Sequence, residues 1–110
     1  MKFSVVANTR HSEIKKNLTK VIGFLDDFEL EAQTAQILNL KGVPLEELNG
    51  DIIISLGGDG TLLYIFSKIN KPIFGINCGG VGFLTEMEHE EDIFTAIKNL
   101  ENGEFTSQKL

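Results

Sequence analysis

The chain has one cysteine, Cys78, among its 110 residues, which excludes an internal disulfide and a multi-cysteine metal site. Cations are scarce as well: Lys and Arg total 10 against 16 Asp and Glu, for a net charge of −6. Such a balance argues against nucleic acid as a partner, because phosphate backbones are held by Lys and Arg. No apolar run approaches membrane-spanning length. The start, Met1 to Ala7, lacks the long apolar core and small-residue cleavage site of a secretion signal and instead resembles a first strand. With 42% apolar residues, these absences leave a single folded domain, expected in the cytoplasm, with neither a nucleic-acid nor a membrane partner.

Glycine is the residue the chain concentrates. Seven of its eleven glycines (57, 58, 60, 75, 79, 80 and 82) fall in one 26-residue window. Upstream of the first cluster, Ile52-Ile53-Ile54-Ser55-Leu56 is a nearly continuous apolar run, the pattern of a strand buried on both faces of a parallel sheet. It breaks into Gly57-Gly58-Asp59-Gly60-Thr61, after which Leu62 to Phe66 resumes an apolar, helix-compatible run. A strand, a glycine turn and a helix start together aim backbone N–H groups at an anion. Between Gly57 and Gly82 the only charged side chains are Asp59, Lys68 and Lys71. Any phosphate held here therefore depends on backbone N–H groups and a metal ion more than on cationic side chains. Asp59 is the one acid–base group in the turn; the alternative reading is that Asp simply favours turns.

Around this stretch the chain alternates strands and helices, which predicts an open α/β layer with mostly parallel strands. Strands are expected at Phe3–Ala7, Phe28–Ala32, Ile52–Leu56 and Ile73–Ile76. Ser12 is a plausible N-cap for a helix whose apolar face is Ile14, Leu18, Val21, Ile22 and Leu25, with Lys15, Lys16, Asn17 and Lys20 opposite. The stretch from Thr34 to Leu40 reads as either helical turn or loop. Val43 to Leu48 reads as one or two helical turns with Pro at the start. Thr61 to Ile69 is predicted helical up to the Lys71-Pro72 break. Glu90 to Leu100 should form a last helix, closed by Asn102-Gly103. The second glycine loop, Asn77 to Gly82, follows a strand just as the first does, so both can face one crevice at the carboxyl ends of the strands. His11 and His89 are isolated and read as surface residues, and Arg10 as a solvated charge or a phosphate contact.

Two common phosphate motifs are missing. A P-loop needs Lys-Ser/Thr after its last glycine, and Gly60 is followed by Thr61-Leu62. The dehydrogenase fingerprint belongs at the first strand–helix turn, where Asn8 to Ser12 contains no glycine.

What is present resembles something else. Gly57-Gly58-Asp59-Gly60-Thr61 is similar to the GGDGT motif of NAD kinases, diacylglycerol and sphingosine kinases, and 6-phosphofructokinases. The second loop separates these families. Gly75-Ile76-Asn77-Cys78-Gly79-Gly80-Val81-Gly82-Phe83-Leu84-Thr85-Glu86 closely resembles the G-I-N-x-G-x-L-G-F-L-T-E segment of NAD kinases, with Val81 where Leu is usual. On that resemblance the fold is the N-terminal, Rossmann-like α/β domain of the NAD kinase and diacylglycerol kinase group. It would span residues 1–103, with 104–110 starting the strand into a C-terminal β-rich domain that these residues do not supply.

The resemblance implies transfer of the γ-phosphoryl of ATP, with a divalent metal (Mg²⁺ expected), to the adenosine-ribose 2′-hydroxyl of NAD. Asp59 would be the catalytic carboxylate. Gly57, Gly58, Gly60 and Thr61 would cradle phosphates, Val81, Gly82 and Phe83 would line the NAD adenosine pocket, and Asn77 would bond either loop or act as a turn residue. Phe83 and Leu84 read equally as ordinary core. No protein ligand set for the metal is assigned. The complete protein is expected to be a homo-oligomer, and the chain read as an N-terminal fragment is expected to be inactive alone. A kinase of another alcohol, lipid or sugar, and a non-catalytic nucleotide-binding module are the alternatives.

Overall fold

The computed structural model describes residues 1–10, 13–77, 85–86 and 97–98, with Asp59, Asn77, Thr85 and Glu86 described by their backbone. The strands are β1 (Phe3–Ala7), β2 (Phe28–Leu30), β3 (Ile52–Gly57), β4 (Ile73–Asn77) and the two-residue β5 (Thr85–Glu86). The helices are α1 (Ile14–Ile22), α2 (Ala32–Ile37) and α3 (Asp59–Lys68), with a 3₁₀ turn at Leu45–Glu47. Among the described residues the strands form one sheet in the order β2-β1-β3-β4-β5, and every pairing is parallel.

The apolar run in β3 explains its place at the centre. All six residues of β3 are buried, because alternate side chains feed two different cores. Ile52, Ile54 and Leu56 pack with Phe3 and Val5 of β1 against Ile14, Leu18 and Val21 of α1. Ile53 points to the opposite face, where it meets Val6, Leu45, Leu48 and Ile65 of α3. Two cores on two faces give a three-layer, doubly wound arrangement, and a strand covered on both sides needs no polar alternation.

The differences from expectation are local. The second strand ends at Leu30, short of Ala32, because Glu31 turns the chain: its carboxylate accepts from the N–H groups of Gln33 and Thr34 and caps a helix where the sequence reading left helix or loop open. Asn17 is buried, although it was assigned to the polar face of α1. It lies three residues after Ile14 and four before Val21, so it sits on the buried stripe itself. Pro44 precedes the 3₁₀ turn as its N-cap residue. The α3 helix starts two residues before Thr61, with Asp59 as its first residue. Ile97 and Lys98 are helical, and Ile97 joins the α1-side core. The rest of the Glu90–Leu100 helix, Ser12 as N-cap, His11, Cys78, Leu84, His89 and residues 99–110 lie outside the described residues.

At the amino ends of the strands, Glu29 ties three segments together. Its Oε2 accepts from Ser4 Oγ at 2.5 Å, from Asn49 N–H at 2.6 Å and from Gly50 N–H at 3.2 Å, while Lys2 Nζ stands 3.4 Å from its Oε1. Gly50 is required here, because a Cβ would come within 2.6 Å of the Ser4 backbone nitrogen.

Burial alone would raise the Glu29 pKa. The Ser4 and Asn49 hydrogen bonds, the Lys2 charge and the Gly50 hydrogen bond outweigh it and hold the carboxyl below its ordinary value. Its ionised form therefore stabilises the fold at any pH above the unfolded-chain value, and that contribution is lost as pH falls from there through the lower folded pKa. In urea titrations at pH 7, Glu29→Gln is expected to cost about 1–2 kcal/mol. The gap to the unsubstituted chain should close as pH drops below the unfolded value. A gap unchanged down to pH 3 would contradict the ionic role of Glu29.

Candidate functional site

The strand order reverses between β1 and β3: the chain steps from β1 to β2 on one side, then returns to place β3 on the other. In open α/β sheets, ligands bind at such a switch point, outside the carboxyl ends of the strands. A cavity of about 540 Å³ lies there, within the size range of small-molecule sites. Its walls come from four places: Val6 and Ala7 at the end of β1, the loop Asn8-Thr9-Arg10, Glu31 and Gln33 after β2, and Gly60, Thr61 and Tyr64 on α3.

Each wall is fixed by identifiable bonds. Asn8 N–H donates to Leu56 O at 2.8 Å, which ties the first loop to the end of β3. Asn8 Oδ1 accepts from Arg10 N–H at 3.1 Å, a local turn that sets Arg10 at the rim. Ala7 N–H donates to Thr34 Oγ1 at 2.9 Å, and that fully buried hydroxyl donates in turn to Glu31 Oε1 at 2.9 Å. The β1 end and the α2 start are thus joined by one side-chain relay.

The glycine turn borders the cavity through Gly60 and Thr61. Gly57 ends β3 with a φ of +157°, and a Cβ on it would stand 2.7 Å from Thr61 Oγ1 and 3.0 Å from Asn8 Cβ. Its glycine is a packing requirement. Gly58 and Gly60 differ, because among the described residues a Cβ at either would meet nothing within 4 Å. Gly58 precedes α3 as its N-cap residue and supplies no side-chain cap. The first turn of a helix leaves N–H groups without intrahelical partners, and the helix dipole adds partial positive charge there. Among the described residues, the space over Gly58 and Gly60 beside these N–H groups is open.

The residues expected to act together are mostly adjacent. Gly57, Gly58, Asp59, Gly60 and Thr61 run from the end of β3 into the first turn of α3. Asn77 ends β4 directly opposite Gly57 in the strand register. Val81, Gly82 and Phe83 lie outside the described residues.

The sequence reading missed Glu31, counted as strand, and Tyr64, counted within an apolar run. It named Arg10 only as one of two options. The signal for Glu31 was available, since a carboxylate three residues before Thr34 at the end of a short strand has the spacing of a helix cap. Among the described residues no group of three or more His, Cys, Asp or Glu is arranged to hold a metal ion. Glu31, the one carboxylate among the described side chains of the cavity wall, gives three of its roughly four acceptor positions to the α2 cap. The described residues therefore do not fit a resident metal cage. Nor is any helix among them long and apolar enough to cross a membrane.

These features define a doubly wound α/β domain with a cavity at its switch point. Residues 3–105 match the N-terminal domain of the ATP-NAD kinases. The chain is 37% identical to an NAD kinase of Chlorobium phaeobacteroides, across 96% of this chain and 40% of that protein. It is 36% identical to one of Thermoplasma acidophilum, across 96% and 39%. The chain belongs to the NAD kinase family, and it spans about 40% of the length of the relatives it matches. Among solved structures, an NAD kinase from Archaeoglobus fulgidus in complex with ATP superposes with a TM-score of 0.61 at 32% identity, over 94% of this chain and 38% of that one. Yeast NADH kinase complexed with NADH superposes at 0.78 over the same shares but at 14% identity, a likeness of fold alone.

Proposed function

We propose that the complete protein is an NAD kinase that transfers the γ-phosphoryl of ATP to the adenosine-ribose 2′-hydroxyl of NAD, giving NADP. The observation that carries this reading is the start of α3, which has no side-chain cap and, among the described residues, open space over Gly58 and Gly60, beside a switch-point cavity lined by Gly60 and Thr61. Phosphoryl transfer asks for alignment and charge neutralisation more than covalent chemistry, and backbone N–H groups at a helix start meet that need. Gly57 shapes the turn, while Gly58, Gly60 and Thr61 hold phosphates. Asp59, the first residue of α3, accepts the proton of the attacking hydroxyl.

The cavity on the β1–β2 side takes the ATP side of the reaction. NAD enters from the β4 side, over Asn77 and the loop carrying Val81, Gly82 and Phe83. The glycine turn lies between the two, as in-line transfer requires. Mg²⁺ arrives with the triphosphate as part of the substrate and neutralises its charge. A cytoplasmic, homo-oligomeric enzyme completes the reading. As the chain spans about 40% of its relatives' length, the activity is assigned to the whole protein. In an assay that couples NADP to a dehydrogenase, the full-length protein should turn over with ATP, Mg²⁺ and NAD, and residues 1–110 alone should not. A full-length protein that binds ATP but makes no NADP would refute the proposal, and robust turnover by residues 1–110 would refute its assignment to the whole protein.

A further inference from the structure

We infer that Glu31 reads the ribose of the phosphate donor, so that the donor is a ribonucleoside triphosphate and not an inorganic polyphosphate. The inference rests on the reading of the cavity as the donor site.

Glu31 is the first residue after β2 and lines the cavity. Its carboxylate is held from both ends. Oε1 accepts from Thr34 N–H at 3.1 Å and from Thr34 Oγ1 at 2.9 Å, and Oε2 accepts from Gln33 N–H at 3.0 Å. A carboxylate offers about four acceptor positions, so these three bonds fix its orientation and leave one position on Oε2 for a further donor. A ribose diol is a pair of hydroxyl donors, and polyphosphate at neutral pH brings almost none.

Charge and spacing agree. Among the described side chains, Arg10 is the only Lys or Arg on the cavity wall and Glu31 the only acid. An inorganic polyanion gains nothing from a fixed carboxylate on that wall, whereas a nucleotide presents anionic and hydroxylic parts in sequence. From β3, where the phosphate turn begins, to β2 is two strand spacings, on the order of 10 Å. That matches the separation of phosphates and ribose in a triphosphate nucleotide. Tyr64, more than half exposed on α3, adds an aromatic surface to the same cavity.

The test compares ATP, 2′-deoxy-ATP, 3′-deoxy-ATP and inorganic tripolyphosphate on the full-length protein, by calorimetric binding and by NADP formation. At least one deoxy nucleotide should bind about ten- to a hundredfold more weakly than ATP, the loss expected for a hydrogen bond to a charged group. Tripolyphosphate should be the poorest donor. Glu31→Gln replaces one acceptor oxygen by an amide donor, and in that variant the ATP-to-deoxy ratio should collapse to within about threefold. A merely structural fault at the α2 cap would weaken all four ligands together and leave the ratio intact, which would overturn the inference. So would equal binding of ATP and both deoxy nucleotides by the unsubstituted protein, or a Glu31→Gln defect confined to NAD. Absence of NADP with every donor would count against the kinase reading, while the binding ratios would still decide the role of Glu31.

Discussion

Replacing Asp59 by Asn in the full-length enzyme is expected to lower kcat by about a hundredfold to ten-thousandfold, the usual contribution of one positioned general base. The substitution keeps shape and hydrogen-bonding reach and removes the proton acceptor. Asp59 is the first residue of α3, so it also loses a favourable interaction with the helix dipole, typically about 0.3–1 kcal/mol. That is small beside the roughly 3–5 kcal/mol in the barrier that the predicted rate loss represents. A melting temperature close to the original with a collapsed kcat separates the two effects. NAD affinity should change much less, because a group needed only in the transition state lowers kcat and kcat/KM together. If Asp59 positions metal-bound ATP instead, apparent ATP or metal affinity should fall first and excess Mg²⁺ should partly restore the rate. Full activity at ordinary Mg²⁺ would leave Asp59 as a turn former.

The second large effect divides three neighbouring glycines by what surrounds them. Gly57→Ala places a methyl 2.7 Å from Thr61 Oγ1 at a φ of +157°, a conformation that side chains rarely adopt. Backbone strain of this kind costs about 1–3 kcal/mol, and the crowding against Asn8 adds to it. Chemical denaturation should register the loss directly. Among the described residues, Gly58→Ala and Gly60→Ala meet open space. Gly60 lies in the first turn of α3, where alanine lowers the entropy of the unfolded chain and typically stabilises by about 0.4–1 kcal/mol. Yet both methyl groups would occupy the space assigned to phosphate. The expected result is an unchanged or slightly higher melting temperature with ATP binding weakened at least tenfold. If these two variants bind ATP normally, the phosphates do not lie over this turn. If Gly57→Ala proves as stable as the original, the close packing of Thr61 and Asn8 on Gly57 is wrong.

The fold was largely legible because its strongest signals come from burial. A strand covered on both faces has to be apolar at consecutive positions, and Ile52 to Leu56 can satisfy that only at the centre of a layered sheet. The Phe3–Ala7 strand was legible for the same reason. The glycine turn was legible because strand, glycines and helix start occur in one continuous stretch. Glu31 and Arg10 were harder to place because their positions depend on tertiary neighbours: Glu31 turns away from the sheet to cap α2, and Arg10 is held by a side-chain bond from Asn8. Asn17 shows the opposite failure, in which residue type suggested solvent while helical spacing put it on the buried stripe. Local pattern identifies which segments must be covered. It does not reveal which polar side chains are drawn into the resulting joints.

The place of β1 between β2 and β3 has a consequence for how the chain comes together. Its partner on one side, Phe28–Leu30, follows after a single helix, but its partner on the other, Ile52–Gly57, lies some fifty residues away in sequence, as in the Phe3–Ile52 pairing. Closing the longer loop costs more chain entropy and is slower. During synthesis, the β1–α1–β2 unit can therefore assemble while one edge of β1 still offers its backbone to any other strand. The first fifty residues carry that open edge until Ile52 to Gly57 emerges and docks. The arrival of the Ile52–Gly57 strand thus covers the open edge of β1, so a substitution that delays β3 docking would lower the yield of folded protein before any effect on catalysis could be seen.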